Sequence, residues 1–453
     1  METKNFSEML SAIHLMQTSS CRSALVFMLA GLFLHDAHFS PCAGEESAPL
    51  PTVQPGEFTP PDPYIARLGG VPDWSRLDPF QETISREEFI YLLNHCYARS
   101  PEEYKGLIYL QPDRALILKQ STFTEAGWYE LRFRNENHLS SEAPVYWRSP
   151  TQLPDLPANS TRPLSGINIA IDPGHIGGKW VTWDDRHFRI GKDTIEVREG
   201  EMTLKVARIL HRDLSLLGAN VFLTREANEP VTTDRVETLQ EEARRYLYSR
   251  NKVPSSGLIA STAKAMFAIS SEIKARAEIL NDSIQPDVAL CLHFNASPWT
   301  SSRPSFRSPN HLHLLINGCY SGGEMKEDDT RCEMILRILN RVYHEELELA
   351  DEISRTMKKE TRLPAFHYDG TNGMSVNDNE LVWARNLLAN RAFFCPVIFF
   401  EPYCMNHREI HARVQEGEYP GLREIEGIYR KNLYQEYADG VTAGLVNHYR
   451  RKR

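Results

Sequence analysis

Four short apolar segments constrain this chain more than anything else in it. Ile167–Asp172 (INIAID), Asn220–Thr224 (NVFLT), Val288–Phe294 (VALCLHF) and Val397–Glu401 (VIFFE) are apolar almost without interruption. A strand with one solvated face alternates apolar and polar residues, so an unbroken run marks a strand covered on both sides. Between the first two, Glu199–Leu217 carries apolar residues at Met202, Val206, Ile209, Leu210 and Leu217, a helical spacing that Gly218 ends. A closing helix is expected over Leu422–Tyr449, with apolar Ile425, Ile428, Tyr429 and Val441. Alternation of this kind predicts an α/β domain over residues 166–453, a mostly parallel sheet with helices on both faces.

The preceding chain is of another kind. Residues 64–150 predict a small mixed α+β accessory domain. Its helix spans Ser85–Tyr97, with Ser85 as N-cap and Glu88 three residues on, and its strands lie at Ala115–Lys119, Trp128–Phe133 and Val145–Trp147. It holds no catalytic constellation. Two linkers flank it: residues 45–63, rich in Pro, Glu, Ser and Thr, and residues 151–165, part of a proline-rich stretch from Ser149 to Pro163. Ahead of these, Ser23–Leu34 is an uncharged apolar run after Arg22. It is shorter than the roughly 20 residues of a membrane-spanning helix and fits the apolar region of a secretory signal. Residues 1–44 are therefore expected to be a signal peptide. The mature chain is expected to lack a transmembrane span and to reside in the periplasm or cell envelope. Export permits disulfides; Cys319 with Cys332 is the nearest plausible pair, set against buried free thiols. No Cys-x-x-Cys pair exists, which argues against a cysteine metal site. The formal net charge of −9 gives no footprint for nucleic acid.

In an open α/β sheet, ligands gather at the carboxyl ends of the strands. The first strand runs into Asp172-Pro173-Gly174-His175-Ile176-Gly177-Gly178, the third into His293-Phe294-Asn295, and the fourth into Glu401-Pro402. His175, His293 and Glu401 should share one rim, and Glu199, opening the helix before the second strand, is placed to face it. Two His and one carboxylate are the ligands of a catalytic zinc that keeps a position open. A second carboxylate is then left to act as general base.

These segments together resemble the zinc-dependent N-acetylmuramoyl-L-alanine amidases of bacterial cell-wall turnover, over about residues 165–450. IDPGHIGG resembles their first motif and implies His175 as zinc ligand. REGEMTL resembles the second; the register to Leu204 implies Glu199 rather than the competing Glu201. LHFNAS implies His293, with Arg276 and Asn281 matching residues upstream of it. PVIFFEPYCMNHREI implies Glu401 as catalytic base, followed by Asn406 and Glu409. The resemblance implies one zinc ion and a peptidoglycan substrate, cut at the amide between N-acetylmuramic acid and L-alanine, with a protein activator as a further expected class of partner. Two alternatives stand beside it: a zinc peptidase or deacetylase on another wall polymer, and a wall-binding protein without activity. All four positions being intact argues against the last.

The chain departs from the family in its spacings. His175 and Glu199 stand 24 positions apart, the excess falling around Trp180–Lys192, which includes Trp183, Asp184, Asp185, Arg186 and His187. Further inserts fall at residues 226–271 and 319–345. Within them Asp234–Arg250 and Glu327–Asn340 admit a gating role but read as solvated surface helices. His311 and His313, at period two on the strand His311–Gly318, read as an exposed strand face rather than a metal pair. His187 is expected to be exposed. His407 is a candidate for lining the cleft or binding substrate, and Trp299, just past the His293 strand, for stacking on sugar.

Overall fold

The structure, a computed structural model, describes residues 72–119, 127–135, 142–157, 159–249, 252–299 and 303–453. The expected signal peptide and first linker lie outside them. Among the described residues no helix is long and apolar enough to cross a membrane.

Among the described residues a 3-10 turn at Trp74–Phe80 precedes the helix Arg86–Leu92, which continues as a wider π-turn to Tyr97; the Ser85 side chain accepts from the Glu88 amide as its cap. Strands β1 (Ile108–Leu110), β2 (Arg114–Leu118) and β3 (Trp128–Arg132) pair antiparallel in that order. The expected strand Val145–Trp147 does not form. Its polar groups are satisfied elsewhere: Trp147 Nε1 donates to the Asn340 carbonyl, and Arg148 pairs with buried Asp287 at 2.7 Å.

The central sheet contains β4 (Asn168–Pro173), β7 (Asn220–Leu223), β8 (Val288–Leu292), β9 (Leu314–Ile316), β10 (Met374–Ser375), β11 (Val382–Ala384) and β12 (Val397–Phe400). A small hairpin, β5 (His187–Phe188) with β6 (Val197–Arg198), lies between the first two. The order across the sheet is β10-β11-β9-β12-β8-β4-β7. Neighbours are parallel at β11–β9, β12–β8, β8–β4 and β4–β7, and antiparallel at β10–β11 and β9–β12. The pleat sends alternate residues to opposite faces. Ile169, Ile171, Leu290 and Phe400 meet one core, under the helices Glu199–Leu216, Tyr343–Thr361 and Leu433–Lys452; Ala170, Cys291 and Phe399 meet the other, under Glu272–Glu278 and the segment around Phe393. The expected α/β layering is present.

The C-terminal helix begins later than its apolar spacing suggested. Residues 423–430 form a hairpin, β13 (Arg423–Ile425) with β14 (Ile428–Arg430). Glu426 and Gly427 turn it with φ of 50° and 80°, the two positive values that a tight two-residue hairpin turn requires.

The N-terminal unit does not stand apart. Leu77, Phe89, Ile117 and Leu131 belong to the same continuous core as Ile169 and Leu290. The helix Asp328–Leu339 joins them, buried along nearly its whole length, so Glu327–Asn340 is a core element and not a solvated or gating one. Its charged residues are tied down: Arg331 Nε donates to the Leu118 carbonyl, while Arg337 reaches the carbonyls of Phe393 and Cys395 and pairs with Glu346. Glu346 also accepts the Val397 amide at 2.7 Å, which fixes the start of β12. Breaking such a buried pair leaves one charge uncompensated, at about 3–5 kcal/mol. Arg337→Met is expected to lose stability of that order in urea denaturation; a loss below about 1 kcal/mol contradicts the role given to the pair.

Candidate metal centre

Strands β4, β8 and β12 lie side by side and parallel, with Asp172 beside Cys291 and Cys291 beside Phe399. The loops leaving their carboxyl ends therefore emerge together at one rim. The loop after β4 is shaped by two buried guanidinium groups. Arg276 donates to the Pro173 and His175 carbonyls and pairs with Asp172 and Glu272; Arg225 donates to the carbonyls of Pro173, Gly174 and Gly200. Under these restraints His175 adopts φ of 62°, a left-handed conformation uncommon for a residue with a Cβ. Such strain persists where its surroundings over-determine it.

This geometry brings three donors together. His293 Nδ1 lies 3.1 Å from His175 Nε2, and Glu199 Oε1 lies 3.3 Å from both nitrogens. Glu199 opens its helix, is buried, and also accepts the Phe294 amide at 3.1 Å. The Phe399 ring stacks on His293, centroids 4.2 Å apart. The approach leaves no room at the base of the loop: a Cβ on Gly174 would sit 2.2 Å from His293 Cε1. These three side chains could hold a metal ion. Tetrahedral bonds of about 2.0–2.1 Å to nitrogen and oxygen imply donor separations of about 3.3 Å, so the triangle already has the size of one face of such a site.

The insert between His175 and Glu199 supplies two groups that sequence reasoning did not assign. Asp184 Oδ2 is 3.1 Å from His175 Nδ1, on the ring edge opposite the triangle. Arg186 is buried, with Nε 4.0 Å from Glu199 Oε2, and its Nε and Nη2 have no hydrogen-bond partner. Burial pulls the His175 pKa down, but Glu199 and the Asp184 hydrogen bond outweigh it, and the value lies above the ordinary one. Burial likewise opposes ionisation of Glu199; the two imidazoles and Arg186 overcome it and hold the carboxyl well below the usual range.

Glu401 is buried just past β12, two residues beyond Phe399 and therefore on the strand face that meets His293. Its amide donates to the His313 carbonyl across the sheet. Burial lowers the Arg186 pKa, and the Glu199 and Glu401 carboxylates each offset part of that cost.

The sequence profile described as N-acetylmuramoyl-L-alanine amidase matches residues 169–421, more than half of the chain. The chain belongs to this amidase family. Solved structures similar to the amidase include the apo form of Ami1 from Mycobacterium abscessus, at 15% identity, covering 63% of this chain and 99% of that one with a TM-score of 0.36. Another is CwlD from Clostridioides difficile, solved with the GerS lipoprotein, at 14%, 62%, 98% and 0.36. AmiC2 of Nostoc punctiforme gives 15%, 62%, 97% and 0.33. No curated protein matches the chain.

Other residues singled out from the sequence of this amidase fall into place around the rim. Glu201 points away from the triangle, to Arg198 and the Gly178 amide. Asn281 binds the Phe394 amide and Ala392 carbonyl, joining its helix to the approach to β12. Asn406 bonds both backbone groups of Ser297, tying the loop after Glu401 to the one after His293, while Glu409 pairs with Arg430. His311 and His313 are buried, contrary to expectation, because the residues around β10 and β11 cover β9: Phe366 packs on both rings, and the Tyr368 hydroxyl lies 3.3 Å from His313 Nε2. His187 is half-buried and paired with Glu196 rather than exposed. Trp299 packs on Phe188, and His407 stands at the N-terminal flank of the helix Arg408–Glu416 without a side-chain cap bond. The six described cysteines are free and buried; Cys319 and Cys332 are not paired. The helix Gln240–Ser249 is largely exposed and packs through Ala243 and Leu247 on the helix Ser256–Ala265.

Gly174→Ala tests the close approach. Displacement of the His293 ring by about 1 Å is expected to cost about 100-fold in turnover. Digestion assays against peptidoglycan measure it, and activity within about threefold of wild type contradicts the packing.

Proposed function

We propose that His175 through Nε2, His293 through Nδ1 and Glu199 through Oε1 hold one zinc ion, and that Glu401 is the general base for cleavage of the amide between N-acetylmuramic acid and L-alanine. The observation that carries the assignment is the donor triangle, whose sides match a tetrahedral face while its residues come from three distant stretches of chain. When bound, zinc supplies Lewis acidity, making a water more acidic and the amide carbonyl more electrophilic.

The chain's own residues do the rest. Glu401 takes the proton of the attacking water and returns it to the departing L-alanine nitrogen, so the amide leaves as a neutral amine. Asp184 accepts from His175 Nδ1–H, which fixes the tautomer that leaves Nε2 free as a donor. The stacked Phe399 ring holds the plane of His293. Arg186 compensates part of the negative charge that Glu199, Asp184 and Glu401 concentrate in a dry site. A wall substrate places the enzyme outside the cytoplasmic membrane, so export to the periplasm or cell envelope is part of the proposal.

Purified peptidoglycan digested with and without a chelator, with mass analysis of the products, tests the reaction. Free stem peptides beginning with L-alanine, produced only when metal is present, are expected; fragments cut within the stem support a peptidase instead. Glu401→Gln is expected to retain zinc and lose about 10²–10⁴ in turnover, whereas His175→Ala is expected to lose the metal itself by elemental analysis. Near-normal rates in Glu401→Gln remove that residue from its role. Asp184→Asn is expected to weaken zinc binding about 10–100-fold, read by competition with a chromogenic chelator. Unchanged affinity shows that the insert does not support the ligand.

A further inference from the structure

A cavity of about 270 Å³ opens against His175 and His293, close to the lower end of the roughly 300–1,000 Å³ that small-ligand sites occupy. Part of its remaining wall comes from chain that carries none of the site residues: the Asn372 loop, Arg385 just past β11, and the apolar Leu387–Ala389. Apolar walls with a few convergent polar groups are the usual make-up of a site that orients a ligand.

The charges in this wall are unevenly paired. Asp172 and Glu272 are both bound by Arg276, and Glu324 accepts from Ser321 and Asn386. Arg385 has no carboxylate within ion-pair distance among the described residues, although it is only 6% exposed. Its Nη1 reaches the Tyr368 hydroxyl at 3.3 Å, and its guanidinium lies 5.7 Å from the centre of that ring. Aromatic and hydroxyl contacts orient the group without neutralising it. A guanidinium this far out of water is costly unless an anion meets it, and its planar fork suits a carboxylate in a bidentate pair.

The substrate limits what that anion can be. The lactyl carboxyl of muramic acid is consumed in the scissile amide, and the glycan otherwise offers hydroxyl and acetamido groups. Free carboxylates lie on the peptide side of the bond. The geometry points to this cavity as the subsite for the peptide half of the substrate, with Arg385 binding a free carboxylate of the stem peptide and so selecting acidic stems over amidated ones. This rests on the amidase assignment and adds to it the part of the substrate that is read and the residue that reads it.

The test pairs N-acetylmuramoyl-L-alanyl-D-glutamate with its fully amidated form, in which both the α- and γ-carboxyls are carboxamides, as substrates of the zinc-loaded enzyme. Wild type is expected to favour the acid in kcat/KM by about tenfold or more, as for loss of a hydrogen-bonded charge pair. Arg385→Gln is expected to bring the ratio near one, with the loss for the acid falling mainly on KM. Arg385→Lys, which keeps the charge but not the fork, is expected to fall between. Calorimetric titration with the product dipeptides, L-alanyl-D-glutamate and its diamide, reads the same preference without turnover. If neither substrate is cleaved, the amidase assignment fails while the titration still decides the subsite. Equal binding and turnover of acid and amide by wild type, or an unchanged ratio in Arg385→Gln, overturns the proposal. Should Arg385→Gln not fold, the wild-type ratio and Arg385→Lys decide it.

Discussion

The site depends on two arginines buried beneath the loop after β4. Arg276 and Arg225 bind the carbonyls of residues 173–175 and of Gly200, holding the loop after β4 in a shape it would not keep alone. A loop rich in glycine has much conformational entropy to lose on ordering. Charge-assisted hydrogen bonds in a dry interior offset that loss more effectively than neutral ones, at about twice the strength. Arg276 is itself neutralised by Asp172 and Glu272, so the clamp adds no uncompensated charge at that point beneath the site. With the loop fixed, His175 takes its left-handed conformation and Gly174 gives His293 the space it occupies.

The electrostatics of the centre rest on this clamp. Glu199, Asp184 and Arg186 are buried against the two imidazoles, and Glu401 is buried just past β12. The insert Trp180–Lys192 provides two of these groups, Asp184 and Arg186. The added length between His175 and Glu199 is therefore part of the centre's inner wall and not a peripheral decoration.

The N-terminal unit contributes at longer range. It shares one core with the sheet, and the helix Asp328–Leu339 links the two. Through Arg337 and Glu346 that helix sets the start of β12, and the far end of β12 carries Glu401. Residues 72–153 thus brace the strand that presents the carboxylate, whatever else they bind.

The apolar runs at residues 167–172, 288–294 and 397–401 determined a covered, mostly parallel sheet, because side chains buried on both faces leave no polar alternation to mistake; the run at 220–224 is the exception, since β7 is an edge strand and half-exposed. Rim positions for His175, His293 and Glu401 were legible for the same reason, each residue lying at the end of such a run or just past it. Tertiary structure decided what periodicity cannot encode. The hairpin at 423–430 replaced part of an expected helix because Glu426 and Gly427 take positive φ, which apolar spacing does not register. His311 and His313 are buried because a distant segment packs over β9, and the strand's own pattern carries no record of that cover. Nothing in the sequence sets Asp184, Arg186 or Arg385 apart from surface charges. Only the folded chain shows which of them lost water, and which found a partner.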